Sequence, residues 1–388
     1  MISKKAGEPI VIKKLLVLLG TVFIMLYIII NPNICIDGAL QGLLLWFNKV
    51  LPSLLPFIIL TNILSRLDVL DRINKYTTPI TKSIFNLPGD SLFAFIVGFI
   101  SGYPMGAKTA ALLLENGRLN KCEAQKVLCF CNNCGPLFII GVVSVGMLGH
   151  VELGYFILFI QVLSALTLGI LLKAYTEPLD HHSRYYFSVS KRNKDYSFSK
   201  IFNESVQNSM DTIVYIGGYI IFFSVLTHIF KDIFPINLLL KNNVISKNQS
   251  PIIIGVFTSI LEMSNGIYTM SIVPVSKALV ATISFAIGFG GLCTYFQTSY
   301  ILTHSNLSLN KYLYCKCLQG ILCFINTLVF YPTYYNLKVG CSFNVDYQWG
   351  LYLILFLIFG FVSIKCMSLP SFDPSISTLN SKTIKSKK

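Results

Sequence analysis

Residues 98–149 read GFISGYPMGAKTAALLLENGRLNKCEAQKVLCFCNNCGPLFIIGVVSVGMLG. The stretch is apolar enough for a membrane, yet it is interrupted twice, by Gly102-Tyr103-Pro104-Met105-Gly106-Ala107-Lys108 and by Asn132-Asn133-Cys134-Gly135-Pro136. Proline and glycine break the helical hydrogen-bond ladder, and a bilayer has no water to satisfy the freed groups. Such backbone survives at membrane depth only when it is buried in protein or lines a watery cavity. A lysine and two adjacent amides at the breaks are costly there and mark candidate functional positions.

The composition points the same way. The chain has 388 residues, of which 54% are hydrophobic and 12% charged. That charge is about half the share of a soluble domain, which excludes a soluble globular enzyme and a disordered protein. The net charge of +14 then reads as cytoplasmic loops and attraction to anionic lipid, not as nucleic-acid binding. The 11 cysteines lie mostly in apolar runs and read as small buried hydrophobes. Cys129, Cys131 and Cys134 have metal-like spacing but no histidine nearby, so no metal or cofactor is expected.

Apolar stretches fall at about 15–31, 51–67, 91–115, 127–149, 153–173, 208–230, 250–272, 278–303, 311–333 and 349–367. Residues 36–50 read as an amphipathic interfacial segment. The implied organisation is a first membrane repeat (1–174), a polar cytoplasmic linker (175–205), a second repeat (206–368) and a disordered basic tail (369–388). The N-terminus, the linker and the tail are all basic, so all three are expected in the cytoplasm. Five crossings per half cannot return the chain to one side, so one stretch per half must be re-entrant. The expected hairpins are 91–115 and 278–303, the second broken at Gly288-Phe289-Gly290-Gly291. Only Lys49, Lys231, Lys241, Lys247 and Lys338 then lie outside, with Lys108 within the membrane. The two stretches align without gaps at a shift of 190 residues, with Gly98-Phe99 on Gly288-Phe289 and Leu119-Asn120-Lys121 on Leu309-Asn310-Lys311. The expected fold is therefore all-α and polytopic, with two repeats, each of about four spanning helices and one re-entrant hairpin. Repeats with broken helices are a transporter architecture whose sites lie near the midplane.

Lys108 follows the first break and opens a helix, where exposed N–H groups and positive potential suit an anion. Ser101, Gly102, Tyr103, Pro104, Gly106 and Thr109 surround it in sequence. Asn132, Asn133, Cys134 and Gly135 could bind a polar solute or a cation through amides and unwound carbonyls. Glu262, in Glu262-Met263-Ser264-Asn265-Gly266, is the clearest acid within the second half; it could bind a proton or sodium ion, or pair with Lys108. Asp211 reads as facing water, and the pair His181 and His182 as solvated surface. No catalytic or ATP-hydrolysing motif occurs, so no enzyme activity is expected and any transport would be secondary or facilitated.

The stretch 98–149 resembles the signature of the sporulation integral membrane protein family of the YlbJ type, with SGYP-x-GAK followed by NNSGPLFIIG. ILEMSNG (260–266) and GFGGLCTYFQ (288–297) are similar to its second-half motifs. This sequence departs at Cys134, where serine is usual. The family is distantly similar to the gate domains of nucleoside-transporter-like proteins. The resemblance implies an endospore-forming bacterium and a protein in the mother-cell membrane around the forespore, needed for a normal cortex and linked to dipicolinic acid transport. Dipicolinate is a small planar dianion. By role, Lys108 would pair with a carboxylate, while the Ser101–Gly106 backbone and the Asn132–Pro136 break would line the site. Gln297 and Thr298 would face them, with Gly290, Gly291 and Asn265 at the second-half breaks, and Glu262 would couple an ion or gate the path. The expected partners are a small anionic solute, the lipid bilayer, a coupling proton or sodium ion, and a second copy of the chain or other sporulation membrane proteins. Two rival readings stand: a non-transporting assembly factor for the spore cortex, and a transporter of a nucleoside-like solute.

Overall fold

A computed structural model describes residues 8–64, 69–174, 198–234, 250–303 and 305–339. These residues form helices and short connections, without strands. In chain order the helices are α1 (Glu8–Ile30), α2 (Pro32–Leu45), α3 (Leu51–Leu64), α4 (Val69–Phe85), α5 (Asp90–Ser101), α6 (Met105–Glu115), α7 (Lys121–Cys131), α8 (Leu137–Leu148), α9 (Val151–Lys173), α10 (Phe198–Ile233), α11 (Ser250–Leu261), α12 (Met263–Met270), α13 (Lys277–Phe289), α14 (Gly291–Ile301) and α15 (Leu309–Val339). α8 is wound as a π-helix.

Among the described residues, five helical stretches are long and apolar enough to cross a membrane: Pro32–Leu64, Val151–Lys173, Phe198–Ile233, Lys277–Ile301 and Leu309–Tyr335. Their outward residues include large apolar side chains, as lipid contact requires; Ile36, Leu60, Phe159 and Val214 are each more than half exposed. The protein is an all-α, multi-pass membrane protein.

Three expectations change. Residues 36–50 do not form a segment apart from the span that follows. They join α2 through a π turn (Trp46–Val50) to α3, making one helix of 33 residues. Trp46 fixes the turn by donating to the Ile213 carbonyl of α10 at 3.0 Å. Stretch 278–303 is not re-entrant, because α13 and α14 run on as one broken span of 25 residues. The second hairpin is α11–α12. A Cβ added to Gly255 would sit 2.2 Å from Met270, and one on Gly266 would sit 2.4 Å from the Ser259 nitrogen, so the two arms fold back on each other. Finally, residues 198–205 are not linker but the first turns of α10. The rest of that linker, with His181 and His182, the stretch 349–367 and the basic tail lie outside the described residues.

The order hairpin, broken span, long helix thus occurs twice: α5–α6, α7–α8, α9, and then α11–α12, α13–α14, α15. Each hairpin tip docks on the break that follows it. The Gly102 Cβ position lies 2.9 Å from the Gly135 nitrogen, and that of Gly291 lies 2.8 Å from the Ser259 carbonyl. This recurrence replaces the 190-residue alignment, which set an arm of the first hairpin against part of a broken span.

Small residues make the tight packing possible, since apolar burial does little to drive helix association in lipid. Gly98 of α5 and Gly106 of α6 both face the Cys131 carbonyl that ends α7; Cβ atoms there would come within 1.8 and 2.3 Å of it. Gly102 has φ +84°, a left-handed conformation that glycine adopts without strain. The open end of the hairpin is clamped by Arg118, which donates to Asp90 at 2.9 Å, while Asn74 holds the other carboxylate oxygen at 3.0 Å. At the far edge, Tyr27 of α1 donates to Asp232 of α10.

Candidate functional site

The break after α7 is where the elements meet. Asn120 and Glu123 start α7 with a capping box, and the helix ends when Asn132 turns to extended backbone (ψ 95°). That turn frees the last carbonyls and aims two amides into the protein, and both amides are used at each end. Asn132 Oδ1 accepts from the Ala107 N–H of α6 at 3.3 Å. Its Nδ2 donates to Thr298 Oγ1 of α14 at 3.1 Å and to the Tyr312 hydroxyl of α15 at 2.7 Å. Asn133 donates to the Phe130 carbonyl at 2.7 Å and accepts from Gln319 of α15 at 2.5 Å.

Lys316 completes this knot. Its ammonium donates to the Asn132 carbonyl at 3.0 Å and to Gln319 Oε1 at 2.8 Å, and lies 4.9 Å from the centre of the Tyr103 ring. The side chain is 1% exposed. Tyr103 itself reaches across from the first hairpin tip, donating to the Ile287 carbonyl at 2.9 Å beside the Gly290 break. Sequence reasoning missed Lys316, Tyr312 and Gln319. The signal was present: Lys316 stands six residues into the apolar stretch 311–333, and a charge inside a span is functional by default.

Lys108 faces elsewhere. Ala107 gives its backbone N–H to the knot, whereas the side chain of Lys108, one residue on, reaches toward α10. There it donates to Thr212 of α10 at 2.7 Å. It lines an open cavity of about 270 Å³ with Asn62, Leu112, Asn208, Asp211, Thr212 and Tyr300. The Asp211 carboxylate lines this cavity as well, and it is exposed, in keeping with its reading as a group that faces water. The cavity therefore offers one cation, one anion and several neutral hydrogen-bonding groups.

Glu262 lies between α11 and α12 and is 5% exposed. Its two oxygens accept from the backbone N–H groups of Ser264 at 3.0 Å and Asn265 at 2.8 Å, capping α12. A carboxylate at a helix N-terminus is well placed electrostatically. Asn265 donates to Ser224 and Thr227 of α10, both at 3.1 Å. Glu262 and Lys108 spend these hydrogen bonds on different helices, and no ion pair joins them.

Of the residues singled out in the sequence, Tyr103, Asn132, Asn133, Gly290 and Thr298 converge on one buried knot. Gly102 and Gly135 touch beside it, with Ser101, Pro104 and Cys134 buried around them. Gly106 serves the contact with α7. Thr109 gives its hydroxyl proton to the Met105 carbonyl of its own helix at 2.9 Å. Gln297 likewise stays on its own helix, at 3.3 Å from Cys293. Gly291 abuts the second hairpin tip, where Glu262 caps α12 and Asn265 binds α10.

Comparison with known proteins gives three findings. Residues 47–149 match the Gate family, described as nucleoside recognition; the match covers the first hairpin and the first broken span. The chain is 26% identical over 350 residues to the sporulation integral membrane protein YlbJ of Bacillus subtilis (strain 168), covering 84% of each chain. It is 31% identical over 101 residues to the uncharacterized protein MJ0880 of Methanocaldococcus jannaschii, covering 26% of this chain and 32% of that one. No solved structure matches.

Proposed function

We propose that this homologue of a sporulation integral membrane protein is itself a sporulation membrane transporter, moving a small organic anion across the outer forespore membrane during spore maturation. Dipicolinic acid is the proposed solute. One observation carries the reading: a lysine ammonium lines a polar cavity between membrane helices, next to two helices broken at membrane depth. Irregular backbone and an ammonium inside a membrane are costly to keep, and solute passage is the use that accounts for both. Lys108 makes one hydrogen bond, to Thr212, which leaves ammonium protons for a carboxylate. Asn62, Asn208 and Tyr300 supply neutral partners around it. No residue is assigned a catalytic role. The proposed orientation has the N- and C-termini in the cytoplasm, which the distribution of lysine and arginine supports.

The test is dipicolinate uptake into proteoliposomes holding the purified protein. Wild type is expected to accumulate the solute, and Lys108→Ala to lose at least 90% of the initial rate (a tenfold loss is about 1.4 kcal/mol) while still reaching the membrane. Normal uptake by the variant would overturn the assignment of Lys108. A second reading is favoured by the Gate match: the solute is nucleoside-like. Competition of dipicolinate uptake by unlabelled nucleosides separates the two.

A further inference from the structure

The knot at the α7–α8 break contains an ammonium with no carboxylate beside it. Among the described residues Lys316 makes no ion pair. Its hydrogen-bond partners are the Asn132 carbonyl and the Gln319 side-chain oxygen, and its third neighbour is the face of the Tyr103 ring. The groups packed around them include the thiols of Cys131, Cys134, Cys315 and Cys323, all buried. A backbone carbonyl, an amide oxygen and an aromatic face are the neutral partners that suit a monovalent cation. The Asn132 carbonyl stands at the C-terminal end of α7, where the helix dipole is negative and favours positive charge. Unwound carbonyls at such ends are where membrane transporters hold a coupling cation.

A purely structural role accounts poorly for this residue. An apolar side chain would fill the space with less desolvation, because burying a charge is expensive even when it is well bonded. What an apolar residue would not supply is a positive charge on the freed carbonyl of the break. We infer that Lys316 is a tethered cation: its ammonium fills the cation position at the α7–α8 break, so this crossing takes up no free sodium ion. A fixed positive charge there repels a second cation, and the covalent stem keeps the local concentration of the first one high. The transport corollary rests on the function proposed above: solute movement does not need a sodium gradient.

The experiment is a thermal melt of the purified full chain in detergent, in the chlorides of sodium, ammonium or choline at equal ionic strength. Wild type is expected to melt at one midpoint in all three. Lys316→Ala empties the position; its midpoint is expected to fall by about 5 °C in choline, the scale set by losing two charged hydrogen bonds. Sodium or ammonium is expected to recover part of that loss in a saturable manner. Lys316→Met keeps the stem and fills the space, so it should lose less in choline and recover nothing with sodium or ammonium. A saturable rise of the wild-type midpoint with sodium would overturn the inference, and that arm needs no variant. Equal recovery of the two variants, or no recovery of a folded Lys316→Ala, would overturn it too. In proteoliposomes, wild-type dipicolinate uptake should be the same with sodium or choline outside, and a sodium requirement would count against the tethered cation. Absence of uptake in both bears on the transport proposal alone, while the melting curves still decide the lysine.

Discussion

At the scale of single residues, Asn132 shows how a membrane protein keeps irregular backbone. Leaving the helix exposes polar groups that lipid cannot satisfy, and one side-chain amide gathers partners from three other helices: Ala107, Thr298 and Tyr312. Truncation therefore orphans several buried groups together. Asn132→Ala is expected to destabilise the protein by about 3 kcal/mol, since each buried polar group left unmatched costs about 1–3 kcal/mol. Thermal melts of the purified protein in detergent check this, and an unchanged midpoint would mean that water replaces the amide. Lys108 and Ala107 make a second residue-scale point. They are adjacent in sequence, yet one serves the buried knot and its neighbour serves the cavity. The backbone N–H of one bonds at the free N-terminal end of α6, and the side chain of the other reaches out to α10.

At the scale of elements, hairpins and broken spans stand so close because glycines remove the side chains between them. The contrast between Gly106 and Gly218 tests this. A Cβ on Gly106 would meet the Cys131 carbonyl at 2.3 Å and the Asn132 Cα at 2.7 Å, both backbone atoms that cannot swing away, whereas nothing lies within 4 Å of one on Gly218. Gly106→Ala is expected to cost about 3 kcal/mol through forced backbone shifts. Gly218→Ala, in the interior of α10, should be neutral or stabilise by up to about 1 kcal/mol. Equal yields and midpoints for the two variants would contradict the close approach of α6 to the α7–α8 break. The hairpin's other end depends on charge instead: Asp90 is almost fully buried and shared between Arg118 and Asn74. Removing Arg118 would leave that carboxylate poorly compensated, a more serious loss than that of a surface ion pair.

At the scale of the whole molecule, the two halves fold as one body through the knot. Asn132 and Asn133 come from the first half; Thr298, Tyr312, Lys316 and Gln319 come from the second. A double-mutant cycle on Asn133→Ala and Gln319→Ala should return a coupling of about 1 kcal/mol or more, because residues sharing a buried network are not additive. Purely additive losses in midpoint would argue that the halves are held by packing alone. The cavity around Lys108 also joins the two halves, since its lining comes from α3, α6, α10 and α14.

The sequence by itself determined the class of protein, the helical breaks and the residue types placed at them. Composition excludes a soluble fold, because apolar segments of this length need lipid. Proline, glycine and paired amides announce local breaks, because they act through the backbone of their own segment. Tyr103, Asn132, Thr298 and Gly290 were legible on those grounds, as was the need for a hairpin in the first half. Only the tertiary structure decided which segments fold back. Stretches 250–270 and 277–301 carry similar apolar content and similar breaks. The first closes on itself through the contacts of Gly255 and Gly266, while the second runs on as a span. The tertiary structure likewise separated Lys108 from the knot and brought Lys316 into it. No local pattern distinguishes a lysine that reaches toward water from one that turns onto a carbonyl of another helix 184 residues away in the chain. The broken backbone at Asn132 creates the acceptor, and only packing brings the ammonium to it.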